Sequence, residues 1–305
     1  MNQKKVSELG YFGLENKQMI IIKLKGGLGN QLFQYALGRS IEIETVRKVK
    51  SDSSWYKQFP QRQYKLNNFN TKVDTASFFE MARIRKFEKK DGRRYLLLNL
   101  FRKKDALRIK EKEFGFQPDI LNIKKDAYLE GNWQSEKYFK DIENIIREEI
   151  TLKEKINENF NQIEKKTKNS NSISLHVRRD DYTSEKVQRV LKLCSLDYYN
   201  KAIKIIKEKI ENPTFFVFSD DIEWVKENLK NNSPTVFVSN GKLKDYEELI
   251  LMSKCRHNII ANSSFSWWGA WLNENNNKIV IAPKNWFRNE KMNTKDLIPE
   301  NWTKI

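Results

Sequence analysis

The sequence predicts an α/β protein of two α/β domains, the C-terminal one a doubly wound parallel sheet. Short apolar runs rich in β-branched residues recur from Ser172 onward, and segments with apolar residues three and four apart separate them. A further strand, glycine-rich turn and helix open the chain. Strands that alternate with helices form parallel βαβ units, whose ligands bind at the carboxyl ends of the strands.

An N-terminal α/β domain is expected to span residues 1–165. A strand at 19–24 and a helix at 31–44 are joined by the glycine-rich turn 26–30. The patterns that follow are less regular. A polar stretch rich in Asn and Lys at 154–172 predicts the domain boundary.

The C-terminal domain is expected to span residues 166–305. Apolar runs predict strands at 173–177, 215–218, 236–238, 258–261 and 279–282. Helical periodicity predicts helices at 196–209, 222–229 and 246–252. This alternation makes the second half the more regular one and the better candidate for a Rossmann-like nucleotide-binding domain.

The composition is that of a folded protein without a disulfide framework. The chain has 305 residues, of which 39% are hydrophobic and 32% charged, far from the composition of disordered chains. Two cysteines and two histidines are too few for a zinc site of the usual kind, and they favour a reducing, cytoplasmic compartment. The polar residues 1–10 predict no signal peptide, and the chain has no apolar run of roughly 20 residues that could span a bilayer.

The net charge of +17 predicts an anionic partner. Residues 83–112 hold 13 Lys and Arg against four Asp and Glu around an apolar segment at 95–101. This segment has three interpretations: a solvated region whose apolar strip packs on its own domain, a peripheral contact with an anionic membrane or lipid-linked acceptor, or a nucleic-acid site. Nucleic acid is the least expected, because only Phe87, Tyr95 and Phe101 could stack on bases.

The turn 26–30, Gly-Gly-Leu-Gly-Asn, is suited to phosphate or to close approach by a sugar. It is not a Walker A loop, because no Gly-Lys-Ser/Thr follows it. It also departs from the dinucleotide pattern, since Leu32 stands where the third glycine belongs. A tight strand-to-helix turn with no ligand is the alternative.

Arg178 and Arg179 end the strongest strand of the second half, within the sequence His-Val-Arg-Arg-Asp-Asp-Tyr at 176–182. At least one guanidinium should emerge at the carboxyl end of the strand, where its donors could hold phosphate oxygens. A surface cluster of ion pairs is the alternative.

Two further strand ends carry polar side chains. Asp220 and Asp221 could accept hydrogen bonds from a base or ribose, but Asp221 is equally placed to cap the next helix. The segment 262–269, Asn-Ser-Ser-Phe-Ser-Trp-Trp-Gly, places hydroxyls at a helix start, where anions bind. Its tryptophans are expected to pack rather than to stack on a ligand.

These segments together resemble the inverting fucosyltransferases of glycosyltransferase family eleven, the α-1,2-fucosyltransferases. The sequence IKLKGGLGNQLFQYA at 22–36 is similar to the family's N-terminal motif, and 176–181 fits the motif H-x-R-R-x-D. Asp180 departs from the pattern, because the family usually has glycine there. Three further segments are similar to family segments: GNWQSEKYF at 131–139, SLDYY at 195–199 and the stretch 245–273 that ends NSSFSWWGAWLN. Together the matching segments span residues 20–285.

The resemblance implies a GT-B-like fold, in which two Rossmann-like α/β domains face a cleft and the C-terminal one binds GDP-fucose without a metal or another cofactor. Arg178 would contact the β-phosphate and Arg179 would support the loop. Asp181 is the favoured general base among the nearby carboxylates of Asp180, Asp181 and Glu185. An ion pair that orients Arg178 or Arg179 is the alternative role of Asp181. The other implied donor-site residues are Asn30, Gln31, His176, Asp220, Asp221, Ser263, Ser264, Phe265 and Ser266, and Trp133 and Gln134 would face the acceptor.

The implied reaction transfers L-fucose from GDP-β-L-fucose to the 2-hydroxyl of a terminal β-galactoside in a surface glycan such as an O-antigen. The expected partners are the donor and a galactose-terminated glycan or lipid-linked oligosaccharide. The expected location is the cytoplasm, with peripheral contact at the inner face of the cell membrane through residues 83–112. Transfer with another linkage or acceptor is one alternative, and a non-catalytic polyanion-binding protein is another.

Overall fold

The computed structural model describes residues 18–45, 47–88, 92, 95–154, 157–179, 192–289 and 292–305. It contains two parallel sheets, one in each half of the chain, with helices packed on them. The predicted fold class, two α/β halves facing a cleft as in the GT-B fold, is confirmed.

The first sheet has five parallel strands in the order β3-β2-β1-β5-β4. They are β1 (Met19–Lys23), β2 (Lys48–Asp52), β3 (Asp74–Thr75), β4 (Leu107–Lys110) and β5 (Ala127–Glu130). The chain adds β2 and β3 on one side of β1 and places β4 and β5 on the other side. The carboxyl ends of β1 and β5 therefore border a switch point, where open α/β sheets bind ligands.

The second sheet has six strands, also parallel, in the order β11-β10-β9-β6-β7-β8. They are β6 (Asn171–Val177), β7 (Pro213–Ser219), β8 (Thr235–Phe237), β9 (His257–Ile259), β10 (Val280–Ala282) and β11 (Thr303–Lys304). The strand order reverses between β6 and β9. His176 and Arg178 lie at the end of β6, and the serines at 263 and 264 follow β9, so the predicted motifs meet at this switch point.

The helices cover the faces of both sheets. They are α1 (Leu28–Thr45), α2 (Trp55–Gln58), α3 (Phe78–Ile84), α4 (Tyr95–Leu100), α5 (Glu143–Glu149), α6 (Glu158–Lys168), α7 (Leu196–Lys209), α8 (Ile222–Asn228), α9 (Asp245–Lys254) and α10 (Ser264–Trp271). Short 3-10 turns lie at Leu66–Asn68, Pro118–Asn122, Glu136–Tyr138 and Lys140–Ile142. None of the helices in the described ranges is long and apolar enough to cross a membrane.

A continuous apolar core joins the two halves, because α1 packs directly on α10. The ring of Phe33 lies 4.5 Å from that of Trp267 and 5.0 Å from that of Trp268, measured between ring centroids. Both tryptophans are fully buried, which confirms that they pack in the core. The helix of one half thus fixes the position of the glycine turn against the other half.

The expected boundary at residue 165 lies inside α6. This helix packs against α9 and β6, both in the second half of the chain. The division into domains 1–165 and 166–305 stays a prediction.

The apolar segment at 95–101 packs on its own domain only in part, through the contact of α4 with α3 and the half-buried Tyr95 and Leu98. Leu96, Leu97, Leu100 and Phe101 are exposed. The helix α4 instead turns its one polar side chain, Asn99, toward the protein, where it bonds the backbone N–H and carbonyl of Phe87 at 2.8 and 2.9 Å.

Candidate functional site

A cleft of about 600 Å³ lies at the carboxyl ends of both sheets. The first half contributes the turn 26–30 and Arg62. The second half contributes His176, Arg178, Ser219, Asp220, Ser239, Gly241, Leu243, Asp245, Glu248, Ser263, Ser264 and Phe265. Most of the predicted donor-site residues are therefore gathered at one place.

Two helix N-termini meet in this cleft. A Cβ at Gly29, in the first turn of α1, would lie 2.4 Å from the carbonyl carbon of Ser264, the first residue of α10. Only glycine permits backbones to approach so closely. Both helices direct their N–H groups and the positive ends of their dipoles toward the cleft, an arrangement that binds anions.

The turn is held in shape by backbone and side-chain bonds. Gly26 has a φ of +83°, in the left-handed region that favours glycine. Its carbonyl accepts hydrogen bonds from the Tyr56 hydroxyl at 3.2 Å and from Nε2 of Gln31 at 3.3 Å. The turn is thus fixed before any ligand arrives.

Arg178 contributes a guanidinium to the cleft. Its Nε forms an ion pair with Oδ2 of Asp220 at 3.1 Å, and both side chains remain partly exposed. Oδ1 of Asp220 accepts the backbone N–H of Arg179 at 2.9 Å. Asp220 therefore lines the cleft and also orients Arg178 and the loop that carries it.

Arg179 points away from the cleft. Its guanidinium carbon lies 3.7 Å from the centre of the Trp224 ring, and its Nε donates to Oδ2 of Asp221 at 3.3 Å. Asp221 is the N-cap of α8, where Oδ1 accepts the N–H of Trp224 at 3.2 Å. The two arginines therefore differ in position: Arg178 lines the cleft, and Arg179 does not. Asp221 also lies outside the cleft and caps α8, as one of its two interpretations predicted.

His176 is buried at the floor of the cleft. Burial, and after it the charge of Arg178, lowers the pKa of the imidazole to about 3, so the ring is neutral at physiological pH. Its Nδ1 is buried and has no hydrogen-bond partner in the described ranges. The ring is 5.6 Å from that of Phe265. His176 can therefore offer a neutral nitrogen to a ligand.

The serine segment divides between the cleft and the core. Ser263, Ser264 and Phe265 line the cleft, and Oγ of Ser263 caps α10 by accepting the N–H of Phe265 at 3.3 Å. Ser266 is buried behind them and donates to the carbonyl of Ser263 at 3.4 Å. Its role is to hold the helix start.

Two expectations for the first half turn out differently. Trp133 is fully buried with its ring edge-on to Tyr138, so no face is open to a sugar. Gln31 is also fully buried, because Oε1 accepts the N–H of Lys65 and Nε2 donates to the carbonyl of Gln63, each at 2.9 Å. The expectations that Trp133 stacks and that Gln31 faces the cleft are wrong.

Gln134 supports the cleft instead of lining it. Its Nε2 donates to Oδ1 of Asn30 at 2.8 Å. This bond spans the switch point of the first sheet and orients Asn30, whose side chain does line the cleft. The expected pairing of Asn30 with the donor stays a prediction.

The expected general base, Asp181, and its neighbours Asp180 and Glu185 lie outside the described residues. Within the described ranges, no group of three His, Cys, Asp or Glu side chains could hold a metal ion. Metal independence and the identity of the base stay predictions.

Sequence reasoning missed five polar residues of the cleft: Arg62, Ser219, Ser239, Asp245 and Glu248. Ser239 donates to Oε2 of Glu248 at 2.7 Å and accepts the N–H of Ser219 at 3.0 Å. Burial raises the pKa of the Glu248 carboxyl to about 7, helped by the negative charges of Asp245 and Glu247. Ser239 follows β8, so the strand-end rule could have found it, whereas nothing in the sequence distinguishes Glu248 or Arg62.

The cleft thus combines two kinds of chemistry. Arg178 and the two helix N-termini suit a diphosphate. Asp220, Ser239 and Glu248 carry oxygens that accept hydrogen bonds, which suits the hydroxyl and N–H groups of a nucleoside. A nucleoside diphosphate has both kinds of group in one molecule.

Comparison with known proteins agrees with this chemistry. The family model "Glycosyl transferase family 11" matches residues 14–305. An alpha-1,2-colitosyltransferase of Escherichia coli is 36% identical over 296 residues, which cover 94% of this chain and 99% of that protein. The O-antigen biosynthesis glycosyltransferase WbnK of Escherichia coli is 33% identical, over 92% of this chain and 99% of that protein.

A solved structure with a similar fold is the fucosyltransferase NodZ from Bradyrhizobium. It is 15% identical, with a TM-score of 0.46, over 83% of this chain and 92% of that chain.

Proposed function

From the premise that the chain belongs to glycosyl transferase family 11, we propose that it transfers L-fucose from GDP-β-L-fucose to the 2-hydroxyl of a terminal β-galactoside. The observation that carries the proposal is the cleft in which Arg178 lies beside the converging N-termini of α1 and α10. These groups would meet the charge that develops on a leaving diphosphate.

The reaction is a single displacement with inversion. The bond from the anomeric carbon of fucose to the β-phosphate oxygen breaks, and a bond from that carbon to the acceptor oxygen forms. The hydroxyl proton goes to a base, and GDP leaves with one more negative charge. An inverting transfer from a β-linked donor yields an α-linked product.

In this proposal, positively charged groups of the chain stabilise the leaving diphosphate, and no metal is needed. Arg178 lines the cleft and its Nε is held by Asp220, so the guanidinium is in place before a donor binds. A positive group that is already in place needs no reorganisation as charge builds in the transition state. His176, Ser263, Ser264 and Phe265 also border the cleft and would contact the donor.

A surface glycan of the O-antigen type is the proposed acceptor. The support is the similarity over nearly the whole chain to WbnK, whose name assigns it to O-antigen biosynthesis. The acceptor would enter from the side of Asn30 and Arg62, where the first half borders the cleft.

A second candidate is transfer of colitose in the same α-1,2 linkage, which the similarity to the colitosyltransferase favours. Colitose is fucose without the 3-hydroxyl. A site that hydrogen-bonds this hydroxyl would strongly reject the sugar that lacks it, because a buried polar group would then be unpaired. The ratio of kcat/KM for GDP-fucose and GDP-colitose therefore decides between the two donors.

The test is transfer to lactose from each donor, with and without EDTA, followed by product mass and linkage analysis. We expect a fucosylated product with an α-1,2 linkage whose rate EDTA does not change. A preference for GDP-colitose would assign the second candidate. Transfer that EDTA abolishes would contradict the metal-free mechanism, and failure to bind GDP would contradict the whole proposal.

A further inference from the structure

Six large apolar side chains are exposed on two helices of the first half. Their exposed fractions range from 54% to 78%. We call this set the α3–α4 surface; it consists of Phe78, Phe79, Leu96, Leu97, Leu100 and Phe101. In the described part of the chain, the other exposed large hydrophobic residues, Phe59 and Leu107, are less exposed, at 39% and 38%. Contiguous exposed apolar side chains on a folded protein mark an interaction site.

The two helices are firmly placed against each other. They are in contact, and the N–H of Lys103 donates to the carbonyl of Arg83 at 2.8 Å. A capping box fixes the start of α3: Oγ of Ser77 accepts the N–H of Glu80 at 3.3 Å, and Oε2 of Glu80 accepts that of Ser77 at 2.8 Å. The exposed side chains therefore stand on ordered backbone.

The polarity of α4 is reversed with respect to a helix that covers a core. Asn99 bonds inward to the backbone of Phe87, while Leu96, Leu97 and Leu100 face outward. A surface helix of a water-soluble protein turns its apolar side chains toward the core and its polar side chains toward water. The outward leucines are thus a built feature of the fold.

Exposed basic side chains adjoin the apolar ones in sequence. They are Arg83, Lys86, Lys104 and Lys110. The whole segment 83–112 holds 13 Lys and Arg against four Asp and Glu. Four of these basic residues, Arg85, Lys103, Arg108 and Lys110, pair with carboxylates of the protein. Apolar side chains within a basic rim match the interface of an anionic bilayer, where the former enter the acyl boundary and the latter meet the headgroups.

The same charge argues against a second copy of this chain as the occupant. Pairing two α3–α4 surfaces would bring two strongly positive segments together. Like charges in contact are unfavourable, and an anionic lipid surface has no such penalty.

The surface is placed so that docking leaves the cleft free. Ile21 and Tyr128 point from the first sheet toward Ala76, Ile84 and Ala106, whereas Ile20 and Ile22 belong to the core shared with α1. Thus α3 and α1 cover opposite faces of the sheet. Arg85 follows the last residue of α3, and its Nη1 donates a hydrogen bond to Oδ2 of Asp52. Asp52 lies at the carboxyl end of β2, and the cleft lies at this same edge of the sheet.

We propose that the α3–α4 surface docks this protein on an anionic lipid bilayer, with its apolar side chains in the interface and the basic rim at the headgroups. This inference goes beyond the proposed transfer reaction and does not depend on it. It would bring the cleft close to acceptors that are carried on lipid.

The test is co-sedimentation of the full chain with vesicles of phosphatidylglycerol and phosphatidylcholine, compared with phosphatidylcholine alone, without donor or acceptor. The charge variant is Arg83→Glu, Lys86→Glu and Lys104→Glu. The matched control reverses three exposed lysines of α7, Lys204→Glu, Lys207→Glu and Lys209→Glu, which changes the net charge equally. The apolar variant is Leu97→Ser, Leu100→Ser and Phe101→Ser.

We expect the wild type and the control to sediment with anionic vesicles, and the charge variant to bind roughly a hundredfold more weakly. The apolar variant should lose the part of the binding that survives high salt. Equal thermal unfolding of all four proteins shows that they are folded. Three results would overturn the proposal: no sedimentation of the wild type at low salt, equal loss in the α7 control, or a wild-type dimer that becomes a monomer in the apolar variant.

Discussion

Gly29 of α1 and Ser264 of α10 are in backbone contact across the cleft, so closely that a Cβ on Gly29 would lie 2.4 Å from the carbonyl carbon and 2.5 Å from the carbonyl oxygen of Ser264. The two residues belong to helices in different halves of the chain, and each begins or nearly begins its helix. The contact therefore sets how far apart the two anion-binding helix N-termini stand. It makes the glycine turn and the serine segment parts of one site.

The first prediction concerns this contact. Gly29→Ala should force the two helices apart, since the atoms that it meets are backbone and cannot rotate away. We expect a loss of about 1–3 kcal/mol in the free energy of unfolding, as for other overpacked sites, together with a loss of GDP affinity. Chemical denaturation and calorimetric titration with GDP measure the two effects.

Gly27→Ala is the matched control. The nearest atom that its Cβ would meet is Nη1 of Arg62, at 4.0 Å, which is an ordinary contact. This variant should unfold like the wild type. Equal stability of Gly29→Ala and the wild type would contradict the close approach.

The second prediction assigns different effects to the adjacent arginines. Arg178→Ala should lower kcat by roughly a hundredfold or more, as does removal of one donor to a developing oxyanion. Arg178→Lys should recover only part of this loss, because an ammonium lacks the planar fork of donors. Steady-state kinetics with GDP-fucose and an acceptor measure both variants.

Arg179→Ala is the contrast, because Arg179 packs on Trp224 and bonds Asp221 outside the cleft. It should lower stability by about 1 kcal/mol and affect kcat less than Arg178→Ala does. A larger kcat loss in Arg179→Ala than in Arg178→Ala would reverse the two assignments.

Much of the second half could be predicted from the sequence, because its central strands are buried on both faces and carry apolar residues in a strand pattern. The runs at 173–177 and 215–218 lie in β6 and β7, and the helix predicted at 196–209 has the bounds of α7. In contrast, β2 reads Lys-Val-Lys-Ser-Asp and has no strand signal of its own. It forms a strand because β1 and β3 pair with it on both sides.

The residues of the site also divide into those that the sequence predicts and those that depend on distant partners. Arg178, Ser263 and Ser264 were predictable, because strand ends of a parallel sheet meet at one edge. The burial of Trp133 could not be predicted, because it depends on a partner that is distant in sequence. Oε1 of Glu111 accepts the backbone N–H of Trp133 at 3.1 Å. The position of Glu248 in the cleft could not be predicted either, because it depends on the rotation of α9 about its axis, which brings the carboxylate to Ser239.

The third prediction follows from the raised pKa of Glu248. Burial raises the pKa of this carboxyl to about 7, whereas the unfolded chain releases the proton near the ordinary pKa of 4.5. Between these values the folded state binds more protons than the unfolded state, so this group's contribution to stability falls as the pH rises. Glu248→Gln, which cannot ionise, should therefore gain stability relative to the wild type as the pH goes from 5 to about 8.

Denaturant unfolding at several pH values checks this prediction. Glu223→Gln is the control, because Glu223 is exposed and pairs with Lys226 on the surface of α8. The difference between this control and the wild type should vary little over the same range. A constant difference between Glu248→Gln and the wild type would show that the carboxyl is ionised throughout.

The last prediction concerns His176, whose neutral form is fixed by burial and by the positive charge of Arg178, which together lower the pKa to about 3. The unfolded chain takes up this proton near pH 6.5 and the folded protein does not, so stability falls as the pH falls below that value. His176→Gln keeps a neutral hydrogen-bonding side chain, and it should reduce this acid sensitivity. It should also leave the shape of the kcat/KM profile between about pH 5.5 and 8.5 unchanged, even where the rate is lower. An acidic limb near pH 6.5 that is present in the wild type and absent from His176→Gln would show that the imidazole titrates during catalysis.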